Sequence, residues 1–265
     1  VLLLATPSLL LPGMKSDTAQ IVTLIAIFGA SLTFIEYASS YPGLVEFRDA
    51  PPFNRIRFGS LFITVVLLAL MTRGQVAPSE LTVIVGRIGA SIGEVIDFPY
   101  SPVRLVVLML PPDTSGSHSE LVRNSAGMSY LISLLTLAVF IILQRVHRWP
   151  LRTGTFNVWV NLPTFDPTAG GDVVERLERD ARFNIALGFL LPFLTPAVVK
   201  SATSLFGAVS LENPLTLIWT VAAWAFLPAS LFMRGIAMGR IAGMISQKRR
   251  DNASEDTGAE GLLAA

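Results

Sequence analysis

A glycine-framed serine, Gly89-Ala90-Ser91-Ile92-Gly93, is the one run in this chain that matches a catalytic pattern. G-x-S-x-G makes a nucleophile where a strand turns sharply into a helix, exposing the serine hydroxyl to a base. Residues 81–85 can stand for the strand, His118 for the base, and Asp97 or Asp113 for the group that orients it. The surroundings argue against this reading. No α/β alternation flanks the run, and neither His118 nor His147 lies in an apolar stretch, where an intramembrane protease would hold its histidine. Glycines so spaced equally suit two closely packed helices. Gly89 and Gly93 are therefore read as helix-packing positions, with Ser91 a packing residue between them.

Other chemistries lack their residues. Gly86, Gly89 and Gly93 do not have the spacing of a dinucleotide loop, and no HExxH, Walker A or EF-hand pattern occurs. The chain has no cysteine, which excludes disulfides, thiolate catalysis, iron–sulfur clusters and Cys-ligated zinc. Two histidines are too few for a centre built on histidine pairs. Asp166 and Asp172 flank a glycine-rich loop without calcium-site spacing and are read as turn and cap residues. No catalytic residue, metal ligand or cofactor is assigned, and the chain is not expected to be an enzyme. A net charge of +1, from 20 basic and 19 acidic residues, gives no case for nucleic-acid binding.

The elements that carry these residues are apolar. Hydrophobic residues make up 52% of the 265 and charged residues 15%, with a mean hydropathy of +0.59. The apolar residues come in blocks of about 15–20, the length that crosses a bilayer as helix. Spans are expected at about 20–39, 56–72, 128–144, 184–200 and 214–233. The fold class is thus an all-α multi-pass membrane protein of about five transmembrane helices, with one domain over 20–250.

The remaining segments have distinct characters. Residues 1–19 are an N-terminal extension. Residues 1–12 are apolar but short, so either translation starts at Met14 or they form a loose tail. In 81–97, Leu81, Ile84, Val85, Ile88, Ile92, Val95 and Ile96 form a helical stripe, and 103–110 is apolar again. This reads as an outer-face interfacial helix or a shallow re-entrant hairpin over 81–111. In the loop 145–183, alternation at Phe156, Val158, Val160 and Leu162 predicts an extended segment. Asp172 is expected to cap the next helix, with Glu175 completing a capping box. The tail 251–265 is acidic and small, and is expected to be disordered.

Ionisable residues within spans are functional candidates because burying them is costly. Glu36 and Lys200 qualify, each close enough to a span end to reach water. Pro192, Pro196 and Pro228 imply kinked helices. Beyond the fifth span, Gly235, Gly239 and Gly243 recur at four-residue spacing, a ladder that suits an internal helix contact or a membrane-protein partner. Arg234, Arg240, Lys248, Arg249 and Arg250 beside it read as a basic helix on anionic lipid.

The loops after spans one, three and five hold fourteen of the basic residues and the other side six. That asymmetry puts the N-terminus outside and the C-terminus in the cytoplasm, as in a cell inner membrane. Tyr41, Tyr130 and Trp149 are expected at the interfaces. With no chemistry assigned, the expected function is a non-enzymatic subunit, scaffold or assembly factor of a larger membrane complex, bound to lipid and to a protein partner or a second copy. The alternative is a small transporter or channel. The sidedness can be checked directly in this cysteine-free chain. A cysteine introduced at Ser117 should react with a membrane-impermeant thiol reagent added outside intact cells, and one at Thr155 should not.

Overall fold

The computed structural model describes residues 1–146, 149–150, 157–166, 168, 170–206 and 211–263. Among them the chain is helical, with no strand. The helices are α1 (Leu2–Leu10), α2 (Ser16–Ala38), α3 (Phe53–Gly74), α4 (Glu80–Ile96), α5 (Pro102–Leu108), α6 (Gly116–Val146), α7 (Val158–Asn161), α8 (Val173–Phe206) and α9 (Pro214–Leu263). Five of them, α2, α3, α6, α8 and α9, are long and apolar enough to cross a bilayer. The chain is a membrane protein with an all-α bundle.

The bundle is organised around α9, which contacts α1, α3, α6 and α8. Its closest partner is α8, running antiparallel. A Cβ on Gly188 would lie 2.8 Å from both the Pro228 carbonyl oxygen and the Phe232 nitrogen. A Cβ on Gly235 would lie 2.7 Å from the Ala181 carbonyl oxygen. Only glycine lets the two backbones approach so closely, and in lipid that approach is a main source of helix–helix attraction. Pro196 has no N–H for the carbonyl of Pro192, and the Trp224 indole N–H fills that vacancy at 3.1 Å. Ser133 Oγ donates to Ala225 O at 3.0 Å, one turn before Pro228.

Two hydrophobic cores result. One gathers Val65, Leu68, Val103, Val122, Leu217, Ile218 and Trp224 from α3, α5, α6 and α9. The other lies at the end of the bundle that carries the 39–52 loop and α7. It is built on Phe47, Phe53, Phe140 and Trp149, whose ring centroids lie 4.4–6.3 Å apart. Aromatic pairs at such distances add to their burial energy.

The segment 81–111 is a helical hairpin. α4 begins with a capping box in which Ser79 Oγ accepts from Thr82 N, and Thr82 Oγ1 accepts from Ser79 N at 2.8 Å. It packs on α3 and antiparallel to the first half of α6. Gly93 and Gly127 meet there, a Cβ on Gly127 falling 2.7 Å from the Gly93 Cα. α5 lodges against α6 and α8, with Val106 and Met109 level with Thr195–Val199 of α8 and Thr220–Trp224 of α9. α4 keeps Leu81, Ile84, Ile88 and Val95 exposed on the side away from α6.

Several expectations are corrected. Residues 1–12 are not a loose tail: α1 packs on α2 and α3, and Leu11 joins the first core. The extended segment expected at 155–162 is instead one helical turn at Val158–Asn161. The Asn157 side chain accepts the Trp159 and Val160 N–H groups there, and no neighbouring strand exists among the described residues for the segment to pair with. Thr155 and Phe156 lie outside the described residues. The tail expected to be disordered continues α9 as helix to Leu263, since no proline interrupts the run. Trp149 is not an interface residue: it is 2% exposed and donates to Ala50 O at 3.0 Å. Ser91 is exposed on α4, so it does no packing.

These contacts predict a graded response to added volume. Gly188→Leu should destabilise the detergent-solubilised protein by about 1–3 kcal/mol or more through overpacking. A Cβ on Gly243 would meet nothing within 4 Å. Gly243→Leu should leave thermal unfolding unchanged.

Candidate functional site

The residues that could do chemistry gather at the aromatic end. Glu46 comes from the loop after α2, Arg57 from the second turn of α3, Thr164 from the loop after α7, and Arg234 from α9. Arg234 grips Glu46 with two parallel bonds, Nε to Oε2 at 2.6 Å and Nη2 to Oε1 at 2.9 Å. Thr164 Oγ1 donates to the same Oε1 at 2.8 Å. The side chains are 23% and 13% exposed, so the pair is largely withdrawn from water. A fork-to-carboxylate pair has the geometry to repay part of that desolvation.

Arg57 stands beside this pair. Its Nε donates to Ser230 Oγ at 3.3 Å and its Nη1 to Asn54 Oδ1 at 3.5 Å. Its guanidinium carbon lies 5.4 Å from the Phe53 ring centroid and 5.8 Å from that of Phe226. Among the described residues no carboxylate forms an ion pair with it.

The loop joining α2 to α3 is fixed by polar bonds. Glu36 accepts the N–H groups of Gly43, Leu44 and Val45, the shortest at 2.8 Å. Arg48 donates to Glu36 O and Ser39 O at the open C-terminal end of α2. Asn161 ties the loop to α7, its carbonyl accepting Phe47 N–H at 2.7 Å and its side chain accepting Asp49 N–H at 3.0 Å. Phe47 holds φ at 52°, a left-handed backbone that its burial and this bond enforce.

The residues singled out from sequence are dispersed. Glu36 makes the loop bonds just described at the exposed end of α2. Lys200 donates to the Leu108 carbonyl at the end of α5. Gly89 faces Met71 and Gly93 faces Asn124, while Ser91 points elsewhere. His118 lines a cavity of about 330 Å³ with Asp113, Thr114 and Glu212, and Ser91 does not reach it. Among the described residues no three histidine or carboxylate side chains gather as a metal site. His147 lies outside the described residues.

Of the glycine ladder, Gly235 packs on α8, a Cβ on Gly239 would lie 3.7 Å from Ala181 Cβ, and Gly243 is open. Of the basic set, three bond to other residues of the chain. Arg234 binds Glu46, Arg240 donates to Trp149 O at 3.3 Å, and Arg249 pairs with Asp172 at 2.6 Å. Lys248 and Arg250 are exposed. The Arg249 guanidinium, then the Glu175 N–H, hold the Asp172 carboxyl below its ordinary pKa. Asp172 also caps α8, accepting from Val174 and Glu175, as the sequence predicts.

Sequence reasoning missed Arg57 and Glu46. Arg57 had a readable signal, since it falls one residue inside the second apolar span. Glu46 had none, because its partner lies 188 residues away. No protein family, curated protein or solved structure matches the chain.

The network predicts an asymmetry between two substitutions. Glu46→Gln should destabilise the protein by about 1–3 kcal/mol, because Arg234 loses its charged acceptor inside a poorly hydrated site. Asp49→Asn, at an exposed carboxylate paired with its neighbour Arg48, should cost less than about 0.5 kcal/mol. Thermal unfolding of both variants in one detergent measures the difference.

Proposed function

We propose that this chain is a non-enzymatic subunit, scaffold or assembly factor of a membrane complex. In this reading it lies in a cell inner membrane with its aromatic end in the cytoplasm. The observation that carries the reading is the isolation of α2. Among the described residues α2 packs on α1 alone, and only 6% of its central window is buried. Ile21, Leu24, Phe28 and Ile35 share the face opposite the buried Ala26, and all four are more than half exposed. Helices associate in lipid through van der Waals packing, so a preformed, unoccupied span is suited to a partner's helix.

The runner-up is a small transporter or channel. It is favoured by a cavity of about 200 Å³ beside the Pro196 kink, lined by Val106, Met109, Thr195, Val199, Thr220 and Trp224. This wall carries no charge, which suits an apolar solute better than an ion.

In mild detergent the chain should migrate as a stoichiometric assembly larger than its own 28.6 kDa. Leu24→Ala combined with Phe28→Ala should weaken that assembly at least tenfold without lowering membrane insertion. A chain that stays monomeric in native membranes and moves a solute in liposomes would replace this reading with the transporter.

A further inference from the structure

We propose that Arg57 is the headgroup-binding residue of a lateral lipid site. An anionic phospholipid occupies the gap between the last turns of α2 and the bundle, with its phosphate on the Arg57 guanidinium.

The first support is a charge imbalance. Arg57, Arg234 and Glu46 are two cations and one anion. Both Glu46 oxygens are engaged by Arg234, and Thr164 takes a further lone pair. Arg57 shares that one anion only at a distance, and its direct partners are two neutral acceptors at 3.3 and 3.5 Å and two aromatic faces. A cation held at the edge of the hydrocarbon is costly without a counter-charge. The fork of an arginine matches phosphate oxygens in geometry as well as charge.

The second support is the opening beside it. Leu4 of α1 stands opposite Gly29 of α2, its Cδ1 3.1 Å from where a Cβ would be. Beyond that level no described helix packs on α2, although α2 continues for nine residues to Ala38. Tyr37, in this final stretch, is half exposed and carries a hydroxyl suited to headgroup depth. On α3 the next residue is Phe58, 57% exposed and stacked on Phe62 at 6.0 Å, an apolar wall for an acyl chain. A charged end beside an apolar wall, open sideways to the bilayer, is complementary to a phospholipid. A free anion would use only the charged end.

The test uses purified, delipidated full-length protein in detergent. The probes are dioleoylphosphatidylglycerol, dioleoylphosphatidylcholine and inorganic phosphate, read by thermal unfolding and native mass spectrometry. The phosphatidylglycerol should bind saturably, one molecule per chain, and raise the unfolding temperature more than phosphatidylcholine does. Arg57→Gln should weaken this binding at least tenfold, and Arg57→Lys, which keeps the charge but not the fork, by a smaller factor. Arg55→Gln removes the same charge two residues away at an exposed position and should leave binding intact. Equal responses to the two lipids in the unmodified protein overturn the proposal, whether or not the Arg57 variants fold. So do equal losses in the Arg55 and Arg57 variants, which mark a general surface potential. An equal shift from inorganic phosphate assigns the site to a free anion and also overturns it.

Discussion

Hydrocarbon supplies no hydrogen bonds, so a bundle in lipid must fill every backbone vacancy from within. The α8–α9 pair works under that constraint. Each of its prolines removes a donor and frees a carbonyl one turn earlier. The carbonyl freed by Pro196 belongs to Pro192, and the indole of Trp224 reaches it across the helix pair. That reach needs the two axes close together, which Gly188 and Gly235 allow. The prolines, the glycines and the tryptophan therefore form one device, and the other helices are arranged around the pair it creates.

The two cores serve different ends of the molecule. The α3–α5–α6–α9 core is mostly aliphatic and holds α5 in place, with Lys200 binding the Leu108 carbonyl at the end of that helix. The other core is aromatic and lies beneath a polar network. Phe47, Phe53, Phe140 and Trp149 make a rigid floor, and Glu46, Arg57 and Arg234 lie at its border with the membrane. Rigid rings lose little freedom on packing, so they suit a floor that must keep charged side chains in register.

The spans were legible because hydropathy over twenty residues is a local property. Asp172 was legible for the same reason: a cap and its N–H groups lie within three residues. The failures share the opposite cause. The alternation ending at Leu162 suits a strand, yet Val158 and Leu162 pack on the aromatic core around a single helical turn. Trp149 looked like an interface residue because its burial depends on Phe47, a hundred residues earlier. Glu36 and Lys200 stay open to water near their span ends; what was not legible was their partners, backbone groups of a loop and of Leu108. Gly188 carried no repeat to mark it, and its importance lies in a carbonyl on another helix.

The polar bonds around α2 give its isolation a mechanical sense. A helix joined to a bundle by a slack loop would tilt freely, and its exposed face would have no fixed direction. Here Glu36 clamps three successive N–H groups of the following loop, and Arg48 binds the last carbonyls of the helix from the other side. The same loop is bound to Asn161 and delivers Phe47 into the aromatic floor. At its other end α2 is held by α1. Both ends of α2 are therefore fixed while its length is unburied. The bonds that orient it lie in the loop at the end of the span, and not in packing along its length. An exposed apolar helix held in this way presents one constant surface to whatever lies beside it in the bilayer.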